Sequence, residues 1–462
     1  MAEIYSDSTP FYLRKRYLIV FLVFWGYFNI FANSVNMSVG IVAMTDETNI
    51  TKEDGSIETI SGFKWTQAEK GIALGSYFYG YVTTQALGGI LATKYGGFLI
   101  FNIGIFVTGL LAMLTPLVCK YGIGFLIAIR VVIGIFSGLS FTSAYDVLSR
   151  WIPPTERSRS VSFVMAGINI GNFMANFASG YITVHFGWSW IFYLFGIIAL
   201  IWSVVWFLVA RQPPQHDKWI TEAEREYITE SLKEENGQEK LKTPWKAIAK
   251  SVPCYAIFAA DAAFSWGFFT LVTQLPQYMD EVLGFSLQNS ATISSFPYLL
   301  YPFIAMSAGF LADWFLKKKI LNVTQVRKYF NSFAFLCQML FLFIVAFVSD
   351  KTTIVVCIIL SVGAGAIAAS GYLANPLDIA SQFSSIIYGI SSTFSVLTGV
   401  ISPTLTGFIT TTPDAASYRI VFLIACAIYL IGTIIYATFA SGEIQPWAVA
   451  EPVKTVEVEV KK

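Results

Sequence analysis

The chain has 462 residues, of which 55% are hydrophobic and only 13% charged. That is too little charge to cover a soluble protein of this size. A formal net charge of +1 leaves no basic field for nucleic acid.

Apolar stretches near the length that crosses a bilayer, about 20 residues, recur along the chain. They run over residues 17–45, 68–92, 98–118, 122–148, 160–185 and 188–209. After a polar stretch they resume over 252–279, 289–316, 329–348, 352–373, 384–411 and 419–439. This predicts about twelve transmembrane helices, six on each side of residues 211–250. The middle stretch carries Lys218, Glu222, Glu224, Arg225, Glu226, Lys233, Glu234 and Glu235. It reads as an amphipathic charged linker, too short for a catalytic domain.

A segment occurs twice. Gly89-Ile90-Leu91-Ala92-Thr93-Lys94-Tyr95 recurs 220 residues later as Gly309-Phe310-Leu311-Ala312-Asp313-Trp314-Phe315. Repetition at half length predicts two similar six-helix bundles with a substrate site between them near the midplane. The domains expected are therefore 1–210 and 251–441 as the bundles, 211–250 as the linker and 442–462 as a tail.

Lys and Arg gather before the first span (Arg14, Lys15, Arg16), after the second (Lys94), after the fourth (Arg150, Arg157, Arg159) and between the eighth and ninth (Lys317, Lys318, Lys319, Arg327, Lys328). The positive-inside rule then places both termini, the linker and the tail in the cytosol. Residues 46–64 fall on the other side, with the accessible sequon Asn49-Ile50-Thr51 as a candidate glycosylation site. The sequons at Asn36 and Asn322 lie in a span and in the cytosol.

Charge inside a span is costly and marks a site or a structural tie. Arg130, in the fourth span, has no polar neighbour in sequence. Its planar fork suits a carboxylate or phosphate, and an interhelical tie is the competing reading. Asp261, in the seventh span, is a candidate coupling acid for a proton or cation, or a partner for Arg130. Asp146 and Arg150 have helical ion-pair spacing. Tyr77, Tyr81 and Trp266 are candidates to line a cavity, although packed aromatic faces are commoner. Glycines on the second, fourth, fifth and tenth spans allow close helix packing, and Gly399, Pro403 and Gly407 bend the eleventh. The five cysteines lack C-x-x-C spacing, and His185 and His216 are far apart. No nucleophile–base set or metal cluster appears, so neither an enzyme nor a resident cofactor is expected.

The repeated segment resembles the loop motif of the major facilitator superfamily, with Thr93 in place of the usual acid and Asp313 keeping it. Most of the chain, from about Tyr17 to Trp447, resembles that superfamily's anion–cation symporter family, which holds sialin, the vesicular glutamate transporters and the sodium–phosphate cotransporters. The matching stretches are Gly75-Ser76-Tyr77-Phe78-Tyr79-Gly80-Tyr81 with Thr84-Gln85 and Gly88-Gly89, and Trp151-Ile152-Pro153-Pro154-Thr155-Glu156-Arg157-Ser158-Arg159. Two more are Asn375-Pro376-Leu377-Asp378-Ile379-Ala380 and Phe439-Ala440-Ser441-Gly442-Glu443-Ile444-Gln445-Pro446-Trp447.

Several family positions differ. Ser34, before Val35-Asn36-Met37-Ser38, stands where members carry Arg. Ser137 stands where sialin and the glutamate transporters place an acid. Leu74, Phe264 and Pro376 replace a His, an Arg and a His. Arg130 keeps the fourth-span Arg. The resemblance implies an all-α major facilitator fold and an alternating-access symporter of the divergent, invertebrate-type branch similar to phosphate cotransporters. The solute would be inorganic phosphate or a small organic anion, co-transported with Na+ or H+. Expected substrate contacts are Arg130, Ser34, Asn36, Tyr77, Tyr81 and Trp266, and expected coupling residues are Asp261 and Ser137. Gly89, Lys94, Gly309 and Asp313 are the loop-motif residues. The depleted charged set also fits a carrier of neutral or zwitterionic solutes, and a non-transporting sensor is a further alternative. The expected setting is a monomer in the plasma membrane or an endolysosomal or vesicular membrane, with lipid and a small anionic solute as its partners.

Overall fold

The structure, a computed structural model, describes residues 14–45, 48–51, 57–60, 62–210, 217, 219–236, 243–380 and 383–448. The first half holds six long helices: α1 (Lys15–Thr45), α2 (Gln67–Tyr95), α3 (Gly97–Val118), α4 (Ile123–Trp151), α5 (Pro154–Phe186) and α6 (Ser189–Val209). Between α1 and α2 a small antiparallel hairpin forms from β1 (Thr48–Thr51) and β2 (Ile57–Ile60). The linker holds α7 (Glu222–Asn236) and the single turn α8 (Trp245–Ile248). The second half holds α9 (Val252–Glu281), α10 (Leu287–Lys317), α11 (Val323–Phe347), α12 (Lys351–Gly365), the short α13 (Asn375–Ile379), α14 (Ser384–Ile409) and α15 (Ala415–Phe439).

Among the described residues, eleven helices are long and apolar enough to cross a membrane. The twelfth long helix, α2, is not among them; Thr83, Thr84 and Gln85 lie along it. It packs between the halves, so it need not offer lipid an apolar surface all round. Helices α3, α6, α10, α11 and α15 expose large apolar side chains such as Phe106, Leu208, Phe310, Phe343 and Ile434. Asn29, Asn33, Asn172, Asn176, Asn331 and Gln338 are buried. Apolar residues outside and polar residues inside are the arrangement a bilayer selects.

Most helices start within four residues of where the apolar runs predict, and two start six residues earlier. The run at 329–348 belongs to a helix that begins at Val323, because Asn322 and Gln325 form a capping box before it. Pro154 opens α5, six residues ahead of its apolar run, as a proline suits a first turn. The predicted span 352–373 ends its α-helix at Gly365. A 3₁₀ turn, Ala366–Ser370, and then α13 continue it, as Gly365, Gly371 and Pro376 weaken the α-helical hydrogen-bond period.

The halves meet in a crossed pattern. The second long helix of each packs on the fifth of the other, α2 on α14 and α10 on α5, while α1 lies along α9. Within the first half α2 packs closely on α4. A Cβ at Gly134 would run into the Tyr77 carbonyl oxygen, so no larger residue fits at that crossing.

The linker is docked. Glu224 of α7 is fully buried and accepts from the backbone N–H groups of Lys15 and Arg16, at 2.8 and 3.0 Å, capping the start of α1. Arg16 pairs with both Glu224 and Glu156. Arg225 pairs with Glu222 at 2.7 Å. Lys218, the side chains of Lys233, Glu234 and Glu235, Arg211 and His216 lie outside the described residues. The start of the tail is also held: Gly442 N donates to Thr324 Oγ1 and Gln445 N to the Ile379 carbonyl. Residues 449–462 lie outside the described residues.

Candidate functional site

Arg130 is buried in α4. Its Nη1 donates to the Asn33 carbonyl at 2.8 Å and its Nη2 to the Ser34 carbonyl at 2.6 Å, both on α1. Its guanidinium lies 5.3 Å from the centre of the Tyr77 ring, a cation–π contact. Nε has no hydrogen-bond partner. Tyr77 stacks on Tyr81, ring centres 5.7 Å apart, and the Tyr77 hydroxyl faces Ser34 and Ser137. Ser137 in turn shares a hydrogen bond with Thr108 at 3.3 Å. The structure thus gathers Arg130, Ser34, Tyr77, Tyr81 and Ser137 around one point of the first half. Asn36 is fully buried with both amide atoms unpartnered.

Asp261 is buried in α9, and its Oδ2 accepts from Ser391 Oγ of α14 at 2.6 Å. The hydroxyls of Ser265, Ser395 and Tyr372 also face the carboxyl, and Tyr301 and Tyr388 stand near it. Ser265 and Ser395 are themselves hydrogen-bonded. Tyr388 stands beside Tyr145 of the first half, which adjoins Tyr27. Neighbouring tyrosines from both halves therefore link the surroundings of the two charges.

The alternative reading in which Asp261 pairs with Arg130 is not met in the structure. Among the described residues neither belongs to an ion pair: the guanidinium is turned to α1 and the carboxyl to α14. Trp266 is half-buried against the core, and the structure does not bring it to either charge. Asp146 and Arg150 do pair, at 3.0 Å, and Asp146 also accepts from the Gly97 N–H that opens α3.

The loop-motif residues lie away from this centre. A Cβ at Gly89 would meet nothing within 4 Å, and one at Gly309 only Ser370 Oγ. Lys94 is exposed over the Tyr95 ring, Asp313 is exposed, and the side chain of Thr93 is outside the described residues. The second half instead uses Arg327, which grips Asp378 at 2.6 and 3.2 Å and the Ser370 carbonyl at 2.8 Å. The backbone of Asn49 lies in β1 opposite Thr59; its side chain is outside the described residues.

Sequence reasoning missed Ser391, Tyr145, Tyr301, Tyr372 and Tyr388. Each is an ordinary residue, four on apolar helices and Tyr372 in the turn before α13, and only the packing of distant segments singles it out. It also missed the Lys70–Glu281 pair, whose members stand at the start of one span and the end of another, in separate halves.

The Major Facilitator Superfamily model matches residues 17–394. Sialin of Ovis aries is 33% identical, covering 96% of this chain and 93% of that protein. Vesicular glutamate transporter 2 of Bos taurus is 34% identical, covering 98% and 78%. The fold is similar to that of an inward-facing bacterial homolog of the human lysosomal transporter Spinster, with a TM-score of 0.71 at 13% identity over 94% of this chain and 99% of that one. It is also similar to a D-xylose–proton symporter, with a TM-score of 0.68 at 13% identity over 93% and 99%. Two crossed six-helix bundles, polar inside and apolar outside, and near-full-length identity to two such carriers lead to one assignment: the chain belongs to the major facilitator superfamily and, within it, to the anion–cation symporter family of sialin and the vesicular glutamate transporters.

Proposed function

We propose that the protein is a secondary active transporter that moves a small anion, inorganic phosphate or an organic acid, together with Na+ or H+, by alternating access to one central site. One observation carries this: among the described residues each half buries one charge with no ion-pair partner, Arg130 in the first and Asp261 in the second. Unpaired charges inside a membrane protein are costly, and a bound anion at Arg130 with a cation at Asp261 offsets both. The unpartnered Nε of Arg130 supplies a donor for the anion, and the tyrosines near the two charges supply hydroxyls.

In this reading the bundles 1–210 and 251–441 rock as units, with the termini and residues 211–250 on the cytosolic side. Residues 46–64, with Asn49 as a glycosylation acceptor, lie on the other side. The vesicular glutamate transporters among the relatives carry an organic anion by their name, which supports the same class here.

The test is uptake by purified protein in liposomes, with phosphate and a panel of organic acids under imposed sodium or pH gradients. Accumulation driven by one of these gradients is expected. Uptake of neutral solutes only, or of no solute under either gradient, overturns the reading.

A further inference from the structure

Helix α10 ends in three consecutive exposed lysines, Lys317, Lys318 and Lys319, and the exposed Ile320 follows. The backbone closes the helix as a Schellman motif. Ile320 N donates to the Phe315 carbonyl at 3.1 Å, and Lys319 N donates to the Leu316 carbonyl at 3.0 Å. Lys319 holds the left-handed position of this motif, with φ 55°. Among the described residues it is the only non-glycine with a positive φ. Glycine takes that position without strain, and a side chain there costs stability. The chain thus keeps a cation where the backbone favours glycine, and such an outlier points to a use for the side chain.

Among the described residues, none of the three lysines hydrogen-bonds or ion-pairs through its side chain. Asp313, four residues before Lys317, does not pair with it either. Other basic residues that the sequence places on the same side are engaged. Lys15, Arg16, Arg150 and Arg327 pair with acids, and Lys328 donates to the Thr438 carbonyl. The negative end of the helix dipole favours cations nearby, but it does not require one in a strained position. An apolar stripe leads to the lysines. Phe303, Met306, Phe310 and Trp314 are all exposed and recur every three or four residues, so they share one face of α10. Trp314 stands three and four residues before Lys317 and Lys318, on that same face. A soluble anion uses only the lysines. A lipid uses the whole surface: acyl chains on the stripe, the Trp at the interface and a negative headgroup at the lysines.

We infer that this end of α10 is a binding site for an acidic phospholipid, with its phosphate at Lys317–Lys319 and its acyl chains along Phe303, Met306, Phe310 and Trp314. The inference rests on the carrier reading above only for the topology that puts this end at the cytosolic leaflet.

The experiment titrates the full-length protein in detergent with phosphatidylserine or phosphatidylcholine and counts bound lipid by native mass spectrometry. Thermal melting and liposome uptake are measured in parallel. Phosphatidylserine should bind at least about tenfold tighter than phosphatidylcholine, since each basic residue near a headgroup adds about fivefold. Lys319→Gly should lower that preference about fivefold yet raise the melting temperature, because glycine removes the strain. Neutralising all three, as Lys317→Gln, Lys318→Gln and Lys319→Gln together, should abolish the preference. Equal binding of the two lipids by the parent overturns the site, as does a preference unchanged in both variants. Displacement of phosphatidylserine by millimolar inorganic phosphate would make this end a site for free phosphate and overturn the lipid assignment. A preference for phosphatidylserine in a protein that moves no solute would support the site and count against the carrier.

Discussion

Lys70 and Glu281 meet across the boundary between the two halves, Nζ to Oε1 at 3.0 Å, with both side chains largely buried. Gln67 Nε2 donates to both oxygens of the same carboxylate at 3.0 and 3.1 Å, and so does Gln277 Nε2. Next to this cluster a Cβ at Gly71 would sit 2.6 Å from the Pro403 carbonyl oxygen, so α2 and α14 are in direct backbone contact. The cluster pins the start of α2 to the end of α9, on the side of the β-hairpin. Around Gly89, near the far end of α2, the space is open.

This cluster is expected to act as a lock on one side of the site. Removing one partner leaves a partly buried charge unpaired, so Glu281→Gln or Lys70→Ala should destabilise the closed side by about 1–2 kcal/mol, roughly five- to thirty-fold in population. A cysteine in place of Thr404, which now bonds Tyr79 at 3.0 Å, reports the change. Its labelling by an impermeant maleimide from the hairpin side should speed up in either variant. Unchanged labelling in both would show that the lock lies elsewhere.

A second pairing holds the linker. Glu224→Ala should take from the Lys15 and Arg16 backbone N–H groups the carboxylate that accepts from them, and remove one of the ion pairs of Arg16. Breaking a fully buried pair costs about 3–5 kcal/mol. A lower melting temperature in detergent is expected, together with proteolytic cutting near residues 211–250 that the parent resists. Glu224→Gln keeps an acceptor and should lose less. If Glu224→Ala melts like the parent, α7 contributes nothing to the first bundle.

Two exposed helix caps give a pH test. Asp350 and Asp414 start α12 and α15, and hydrogen bonds from Thr353 and Ser417 hold their carboxyls below the ordinary carboxylate range. A lowered folded value means that the stabilisation is present above the unfolded value, near pH 4, and is lost as pH falls through the folded one. The caps should therefore stay intact in a mildly acidic compartment and weaken only below about pH 4. Asp350→Asn and Asp414→Asn should make stability less steep in pH over that acidic window. A steepness equal to the parent's would show that the caps do not titrate there.

The helices were legible because a run of about 20 apolar residues has few other meanings. Polar first turns, such as the one from Val323, were not, since a cap is a few residues long and carries little hydropathy. Arg130 and Asp261 stood out because charge inside a span is rare. What each one touches was hidden. Arg130 bonds backbone carbonyls, which leave no trace in the sequence, and Ser391 lies 130 residues from Asp261. The suggested pairing of the two charges followed from their being lone and opposite, and helix packing turned each to a different neighbour.

Arg130 separates a tie from a binding group. Its two Nη groups hold α1, and its Nε is free of partners. Arg130→Ala should abolish anion uptake while the protein still reaches its membrane, with a loss of about 1–3 kcal/mol in stability. Arg130→Lys keeps the charge without the fork, so it should restore stability better than transport. Normal uptake by the alanine variant would leave Arg130 as a tie only.

In the proposed cycle Asp261 is the candidate group for ion coupling. It is a buried acid in the second half, hydrogen-bonded to Ser391 and faced by the hydroxyls of Tyr372, Ser265 and Ser395. If it meets the coupling cation, Asp261→Asn keeps the shape and most hydrogen bonds but removes the charge. Exchange of labelled for unlabelled solute should persist, because it needs no net ion movement. Accumulation driven by a sodium or pH gradient should fall at least tenfold. Because Arg130 is not its partner, a second variant removing both charges should behave like the two single losses together, with no recovery of expression. Recovery in the double variant would mean that the two charges meet in another state of the cycle. An Asp261→Asn protein that accumulates solute like the parent would take the coupling role away from this residue and leave its hydroxyl shell as a structural joint between α9 and α14.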